Sequence, residues 1–547
     1  MRKSFELEDS KTERLVKNLL WLAFSLFGLA GMLLGLLGIS NLYAYFQRAQ
    51  TVDTAINVVS PRKSETGRLI WLEDKPTPRV LEPFMRDQIT NDYRRAYEEL
   101  TYSFLTGDQS GLKTYFSDAA LTDVLLASSS LERQKFIDWD HQLSVDFYSP
   151  DGSVLAFRDS YQYAQTSLDR SQGDLRIARR TQDVVLKQDE GLWKISQWRV
   201  HSDYAISQPE MLFPGLAETV RQMRGINYIA RSSPFNELWP KLSLVEINAD
   251  FATLSRLGFT SVRLFIPYPS PEGLEQFADV LDIAQIYDLQ VIPTLLDTYT
   301  CYCVEDLPNI VAQFSQLYDL LEHPSVVLID LKNEADRDFE NAGIQQVRGF
   351  LSYLISVLQR ETGKPVTVGL IEPDPVLSKR LDVISLHHYL SPEALKERLE
   401  SASTYNKPVL LEEFGFHSWE LKLPDPHTER EQALYYQEVL ELARQAKAGW
   451  LAWTLYDLAE GDMPGGRRVE RHLGLLKSDG QSKEVIRVLQ GEQVNAPGLK
   501  DKLWKFRYFA AAALAVLLSL LLFIWIFKPL KKLKNLLSRK TGKETEH

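Results

Sequence analysis

Two short stretches carry the residues best suited to breaking and making bonds. They are Val326-Val-Leu-Ile-Asp-Leu-Lys-Asn-Glu-Ala-Asp336 and Pro408-Val-Leu-Leu-Glu-Glu-Phe-Gly415. Each is a β-branched or leucine-rich run that turns polar at its C-terminal end, the pattern of a buried parallel strand presenting side chains at its tip. Glu334 and Glu413, delivered to one mouth by different strands, would supply an acid and a nucleophile or base, the pair that glycosidic bond cleavage needs. Glu412 competes with Glu413 for the second role. Alternation along a strand sends adjacent side chains to opposite faces, so only one of the two is expected to face the site. Asp336 reads as a helix cap rather than a reacting group.

Stepping outward, strand-like and helix-like patterns alternate across 220–492. Eight candidate strands are Arg224–Tyr228, Ser261–Ile266, Gln290–Leu295, Val326–Leu331, Val366–Leu370, Val383–His388, Pro408–Glu413 and Gly449–Leu455. Amphipathic stretches such as Phe277–Tyr287, Ile344–Arg360 and Arg430–Ala446 separate most of them. Eight such units in this length predict an α/β fold, a (β/α)8 TIM barrel.

The residues at the strand ends resemble those of clan A glycoside hydrolases, the family 5 and family 2 catalytic barrels. The matching residues are Gly225-Ile-Asn-Tyr228, Ser261-Val-Arg-Leu264, Asn333-Glu334, His387-His-Tyr389, Glu413-Phe-Gly415 and Trp453, with Leu473-Gly-Leu-Leu following. The resemblance implies that Glu334 is the general acid/base and Glu413 the nucleophile of a retaining mechanism. It implies that Arg263 and Tyr389 hold the nucleophile, Asn333 binds the sugar 2-hydroxyl and His387 lines the site. Trp453 would be a platform under the reacting sugar and Asn227 a support of the floor. His388 is expected to be structural. The loop Asp297-Thr-Tyr-Thr-Cys-Tyr-Cys303 and the segment Pro267–Pro271 depart from familiar cellulase and mannanase patterns, so the resemblance implies no particular sugar.

Ahead of the barrel, residues 85–200 pass from helical spacing (Ile89, Tyr93, Ala96, Tyr97, Leu100) through a second helical run, Ala119–Phe136, into strands with turns at Pro150-Asp-Gly152 and Asp189-Glu-Gly191. Ending in Gly191-Leu-Trp-Lys-Ile-Ser-Gln-Trp-Arg-Val200, this stretch resembles the NTF2-like α+β cone. A spacer, dimerisation or glycan-contact role is expected, with no catalytic dyad discernible. Residues 46–84 and 201–219 read as linkers.

Two charge-free runs, Leu19–Ile39 and Tyr508–Phe527, are each long enough to cross a bilayer. They predict transmembrane helices over 19–45 and 508–527. The flanking tails, 1–18 and the basic 528–547, hold 12 of the 62 basic and 6 of the 73 acidic residues. The positive-inside rule places both tails in the cytoplasm and the rest in the periplasm or outside. That leaves 50 basic and 67 acidic residues, a net charge of −17, between the tails. Such a surface excludes nucleic acid as a partner.

With 547 residues, the chain needs more than one core. Cys301 and Cys303, the only cysteines, give no disulfide framework and read as free or locally oxidised thiols. No metal or cofactor motif occurs. The expectation is a membrane-integrated retaining β-glycoside hydrolase or transglycosylase acting on an extracytoplasmic polysaccharide, in exopolysaccharide synthesis or processing. Its partners would be the glycan and either a second copy of the chain or synthesis machinery. The alternative is a catalytically silent glycan-binding scaffold.

Overall fold

The computed structural model describes residues 69–523, with breaks at 73–75, 131–132, 169–174, 190, 207, 210, 423–425, 460–467, 497, 499–505 and 508–509. Of the N-terminal stretch only Gly28 and Met32 are described. The predicted span 19–45 therefore lies almost wholly outside the described residues, as do the tails 1–18 and 528–547. Within the second predicted span, residues 510–523 are helical. Among the described residues no helix is long and apolar enough to cross a membrane.

The first sheet has five strands: β1 Ile70–Trp71, β2 Gln134–Tyr148, β3 Val154–Ser167, β4 Arg176–Asp189 and β5 Leu192–Ala205, paired in that order. β2 to β5 form an antiparallel meander, while β1 pairs with β2 in parallel. Helices Pro83–Thr106 and Asp118–Ser128 cover this sheet, sharing a core that includes Tyr93, Tyr97, Phe157, Tyr161 and Trp193. The helix starts at Pro83, where the fixed φ of proline suits the first turn.

Four boundaries around the first sheet differ from the sequence reading. The second helix ends at Ser128 rather than Phe136, which lies in β2. There, Ser128 and Ser129 turn their hydroxyls back onto the carbonyls of Val124 and Leu126, competing with helix propagation. Ile70–Trp71, read as linker, forms β1, and its Trp71 packs edge-on against Phe157. Residues 201–205, also read as linker, continue β5, and Leu216–Gln222 is a helix.

The second sheet is all parallel. Its strands are β6 Arg224–Asn227, β7 Ser261–Phe265, β8 Gln290–Thr294, β9 Ile329–Asp330, β10 Val366–Thr367, β11 Gly369–Leu370, β12 Ile384–His388, β13 Val409–Phe414 and β14 Gly449–Ala452. They run in the order β10-β9-β8-β7-β6-β14-β13-β12-β11. β10 and β11 are two halves of one strand interrupted at Val368; the first half pairs with β9 and the second with β12. The sheet thus comes round on itself as a nearly closed barrel of eight strand positions, matching the eight predicted. Helices such as Leu244–Arg256, Leu307–Leu321 and Glu429–Ala446 lie between the strands, the last opening on a capping box between Thr428 and Glu431.

Helix Ile344–Thr362, which follows the turn bearing Glu334, is buried over 13 of its 19 residues, because the barrel lies on one side and the first sheet on the other. Trp139, Ala164 and Ile177 of the first sheet join the barrel's core cluster. Tyr353 Oη donates to Gln162 at 3.0 Å, and Thr166 Oγ1 to Gln346 at 3.2 Å. Gln346 in turn donates to the Tyr302 carbonyl at 2.8 Å, linking the first sheet to the loop after β8.

Candidate active site

The barrel brings Asn227, Arg263, Asn333, Glu334, His387, Tyr389, Glu413 and Trp453 together toward the C-terminal end of the parallel strands. Arg263, on β7, is fully buried and organises the floor. Its Nη2 and Nε donate to Asp330 Oδ2 at 2.6 and 3.2 Å; its Nη1 donates to Asn227 Oδ1 at 2.9 Å and to Glu413 Oε1 at 2.5 Å. Nη2 also reaches Asn333 Oδ1 at 3.1 Å. Burial would lower this guanidinium's pKa, but the charges of Glu412, Asp330 and Glu413 outweigh it, so the cation is firmly held.

Glu413 receives a second donor, Tyr389 Oη, at 2.9 Å from Oε2. Burial, together with the charge of Glu413, pushes the Tyr389 hydroxyl above its ordinary value and keeps it a donor. Asn227 is fully buried and donates to the backbone carbonyls of Glu412 and Ala452 at 2.9 and 3.3 Å, so it ties three strands together beneath the site.

Glu334 follows β9 with its backbone in the left-handed region, φ 45°. A non-glycine residue there is uncommon and is held by its surroundings. The sharp turn aims the carboxyl across the mouth. Glu334 Oε1 and Glu413 Oε2 each lie 3.4 Å from His387 Nδ1, and the three groups offer atoms all within 4.8 Å of one another. Burial raises the Glu334 carboxyl, but the hydrogen bond and charge of His387, with the charge of Arg337, outweigh it and leave Glu334 below its ordinary value. His387 itself is raised to about 10: burial opposes the charge, and Glu413, Glu334 and Glu412 more than restore it.

The structure overturns the alternation argument for Glu412. β13 carries a bulge at this point, since Leu386 and His387 of β12 pair with Leu411 and Glu413, and Leu411 and Phe414 face Trp450 and Ala452 of β14. The extra residue lets both glutamates face inward. Glu412 is fully buried, with Oε2 3.4 Å from His387 Nε2 and Oε1 3.8 Å from Arg263 Nε. Asp336 is not a helix cap: its Oδ2 accepts from the backbone N–H groups of Ile371 and Glu372 at 2.9 and 3.0 Å, tying two loops. His388 accepts its expected structural role, bonding Ser391 O at 2.9 Å.

A cavity of about 840 Å³ opens over these groups, of the size that ligand sites have. Asn333, Glu334, Tyr389, Glu413 and Trp453 line it, with Phe235 and Phe265 beside the indole at 6.5 and 5.9 Å between ring centres. Residues the sequence reading did not single out also line it: Asp297, Arg337, and His417, Lys422 and His427 from the loop after β13. Asp297, raised by burial against the pull of Lys332 and Arg263, sits beside Asn333. Asp330 was the other omission; its signal was a lone charge within the apolar run Val326–Leu331. Cys301 and Cys303 are joined as a disulfide, with Cα atoms 5.1 Å apart.

No family model matches this chain and no curated protein matches it. Solved structures similar to it include a GH5_18 enzyme from Streptomyces cattleya in complex with Manb1-4GlcNAc, 17% identical over 50% of this chain and 82% of that one, with a TM-score of 0.41. A glycoside hydrolase family 17 beta-1,3-glucanosyltransferase from Rhizomucor miehei is 17% identical over 49% of this chain and 97% of its own, with a TM-score of 0.39. A β-glucuronidase from Ruminococcus gnavus, in complex with N1-substituted uronic isofagomine, is 14% identical over 66% of this chain and 68% of that one, TM-score 0.39.

Proposed function

We propose that the protein is a retaining β-glycoside hydrolase or transglycosylase. The observation that carries this reading is the juxtaposition of Glu334 and Glu413, with oxygens within 4.8 Å, at the mouth of a barrel and under an aromatic-walled cavity. A carboxyl pair about 5 Å apart leaves no room for an intervening water, which an inverting mechanism needs. Glu413, gripped by Arg263 and Tyr389, is the nucleophile that forms the glycosyl–enzyme ester. Glu334 protonates the leaving oxygen and then takes a proton from the attacking water or sugar hydroxyl. Asn333 meets the 2-hydroxyl, and Trp453 stacks under the ring whose positive charge develops in the transition state.

The same reading keeps residues 85–200 as an NTF2-like spacer or contact module, 220–492 as the catalytic barrel, and 19–45 and 508–527 as membrane anchors with the barrel in the periplasm or outside. In support of the second anchor, Leu514, Val516, Leu517 and Phe523 are all more than half exposed. An enzyme so tethered acts where a polysaccharide leaves the membrane.

Incubation of the full chain in detergent with β-glucans, β-mannans, β-galactans and the host's surface polysaccharide tests the reading. New reducing ends that vanish in Glu334→Gln and Glu413→Gln are expected. Binding that both variants retain, with no cleavage of any glycan, would replace it with the scaffold reading.

A further inference from the structure

The active-site groups pose a problem that the proposed function leaves open. Glu334 must carry a proton to the leaving oxygen, yet His387 and Arg337 hold it below its ordinary value. His387 is placed to resolve this, because its two ring nitrogens face different carboxyls. Nδ1 faces Glu334 and Glu413; Nε2 faces Glu412. Two features of the fold reserve the inner position for Glu412. The bulge in β13 turns it inward, and Gly369, at the break in the fifth strand position, leaves the space: a Cβ there would stand 2.6 Å from His387 Nε2 and 3.0 Å from Glu412 Oε2.

On the glycosidase reading, we propose that Glu412 is a positioning residue that acts through the His387 ring to set the proton on Glu334. His387, with a proton on each ring nitrogen, passes its Nδ1–H to Glu334 and becomes a neutral imidazole whose Nε2–H still faces the Glu412 carboxylate, so Glu334 becomes a carboxylic acid. Only O–H and N–H bonds change, and no co-reactant is needed. Once Glu334 has given that proton to the leaving oxygen it is a carboxylate and serves as the base, and the proton it takes from the attacking water or hydroxyl returns to Nδ1.

The surroundings tie Glu412 to the ring. The groups facing Glu412 are Arg263 on β7, Asp330 on β9, His387 on β12 and its neighbour Glu413. Burial, and next the charge of Asp330, raise the Glu412 carboxyl against the pull of Arg263 and His387. Oε1 is buried and has no hydrogen-bond partner, so the oxygen left to hold the ring is Oε2, the one that faces Nε2. The contacts of 3.4 Å are long for hydrogen bonds, the looseness often seen before substrate closes a site.

The test reads the full chain in two ways, each with Glu412→Gln and Glu412→Asp. Histidine C2-hydrogen exchange followed by mass spectrometry gives the titration of His387 without any substrate. A shift of at least one pH unit in Glu412→Gln, smaller in Glu412→Asp, is expected; an unchanged titration overturns the proposal whether or not a glycan is cleaved. The pH dependence of kcat/KM on a cleaved glycan is expected to lose its alkaline limb at least one unit earlier in Glu412→Gln, with KM within twofold. A uniform loss of rate at every pH would assign Glu412 to packing alone and overturn the proposal. Failure of wild type to cleave any glycan counts against the glycosidase reading and leaves the His387 titration to decide this one.

Discussion

Among the described residues, two buried histidines are clamped between carboxylates, and they are built to different tolerances. In the first sheet, His141 Nδ1 lies 2.8 Å from Asp159 and Nε2 2.9 Å from Asp138, the ring stacks on Tyr161 at 4.5 Å, and Tyr93 Oη donates to the same Asp159 oxygen at 2.7 Å. In the barrel, each contact of the His387 ring with a carboxylate is 3.4 Å. Both rings are raised to about 10, for the same reason: burial lowers them and neighbouring carboxylates outweigh it. The first cluster has short hydrogen bonds at both ring nitrogens and sits in a packed sheet core; the second has slack and adjoins a cavity. On the proposed function, the same electrostatics serves stability where geometry is tight and chemistry where it is loose and open to substrate.

Substitutions can break this contrast. Glu413→Gln is expected to lower glycan cleavage by about 10⁴-fold or more, as removal of a nucleophile does elsewhere, while the melting temperature holds. Initial rates and a thermal melt of the same preparation check both halves. His141→Leu should do the opposite. It leaves Asp138 and Asp159 as buried charges without their cation, at about 3–5 kcal/mol in urea unfolding, with kcat at 25 °C within twofold of wild type. If kcat falls while stability holds, the first cluster is not the structural one.

Raising the pH sharpens the comparison. For each imidazole the folded pKa is raised from 6.5 to about 10, so its stabilisation is complete below about 6.5 and is lost as the pH rises through about 10. The urea midpoint is expected to fall from pH 7 to pH 10.5, and to fall less in His141→Leu, where only His387 still contributes. The smallest effect is reserved for Trp453→Ala. Loss of one stacking face, about 0.5–1.5 kcal/mol, should lower kcat/KM about two- to twelvefold, with kcat falling because the ring's charge develops in the transition state.

Much of the barrel was legible because its strands are buried on both faces and read as apolar runs with polar tips, which place Arg263, Asn333, Glu334 and Glu413 in register. Two features escaped for a physical reason. A bulge is fixed by pairing with β12 and β14, so nothing local in Leu-Leu-Glu-Glu-Phe announces that both glutamates turn inward. The His141 cluster joins Asp138 and Asp159 across two antiparallel strands, and cross-strand register is not written in either strand alone. Asp330 was visible as a charge inside an apolar run, but only the arginine two strands away explains why it is there. Phe136 was assigned to a helix because the apolar spacing of 119–136 does not mark the serine run that ends it.

The most direct test of the central claim is the anomeric configuration of the product at first release, followed by proton NMR during cleavage of a glycan by the full chain. The close pairing of Glu334 and Glu413 predicts retention, with the signal abolished in Glu413→Gln. Inversion, or cleavage that persists in that variant, would contradict it.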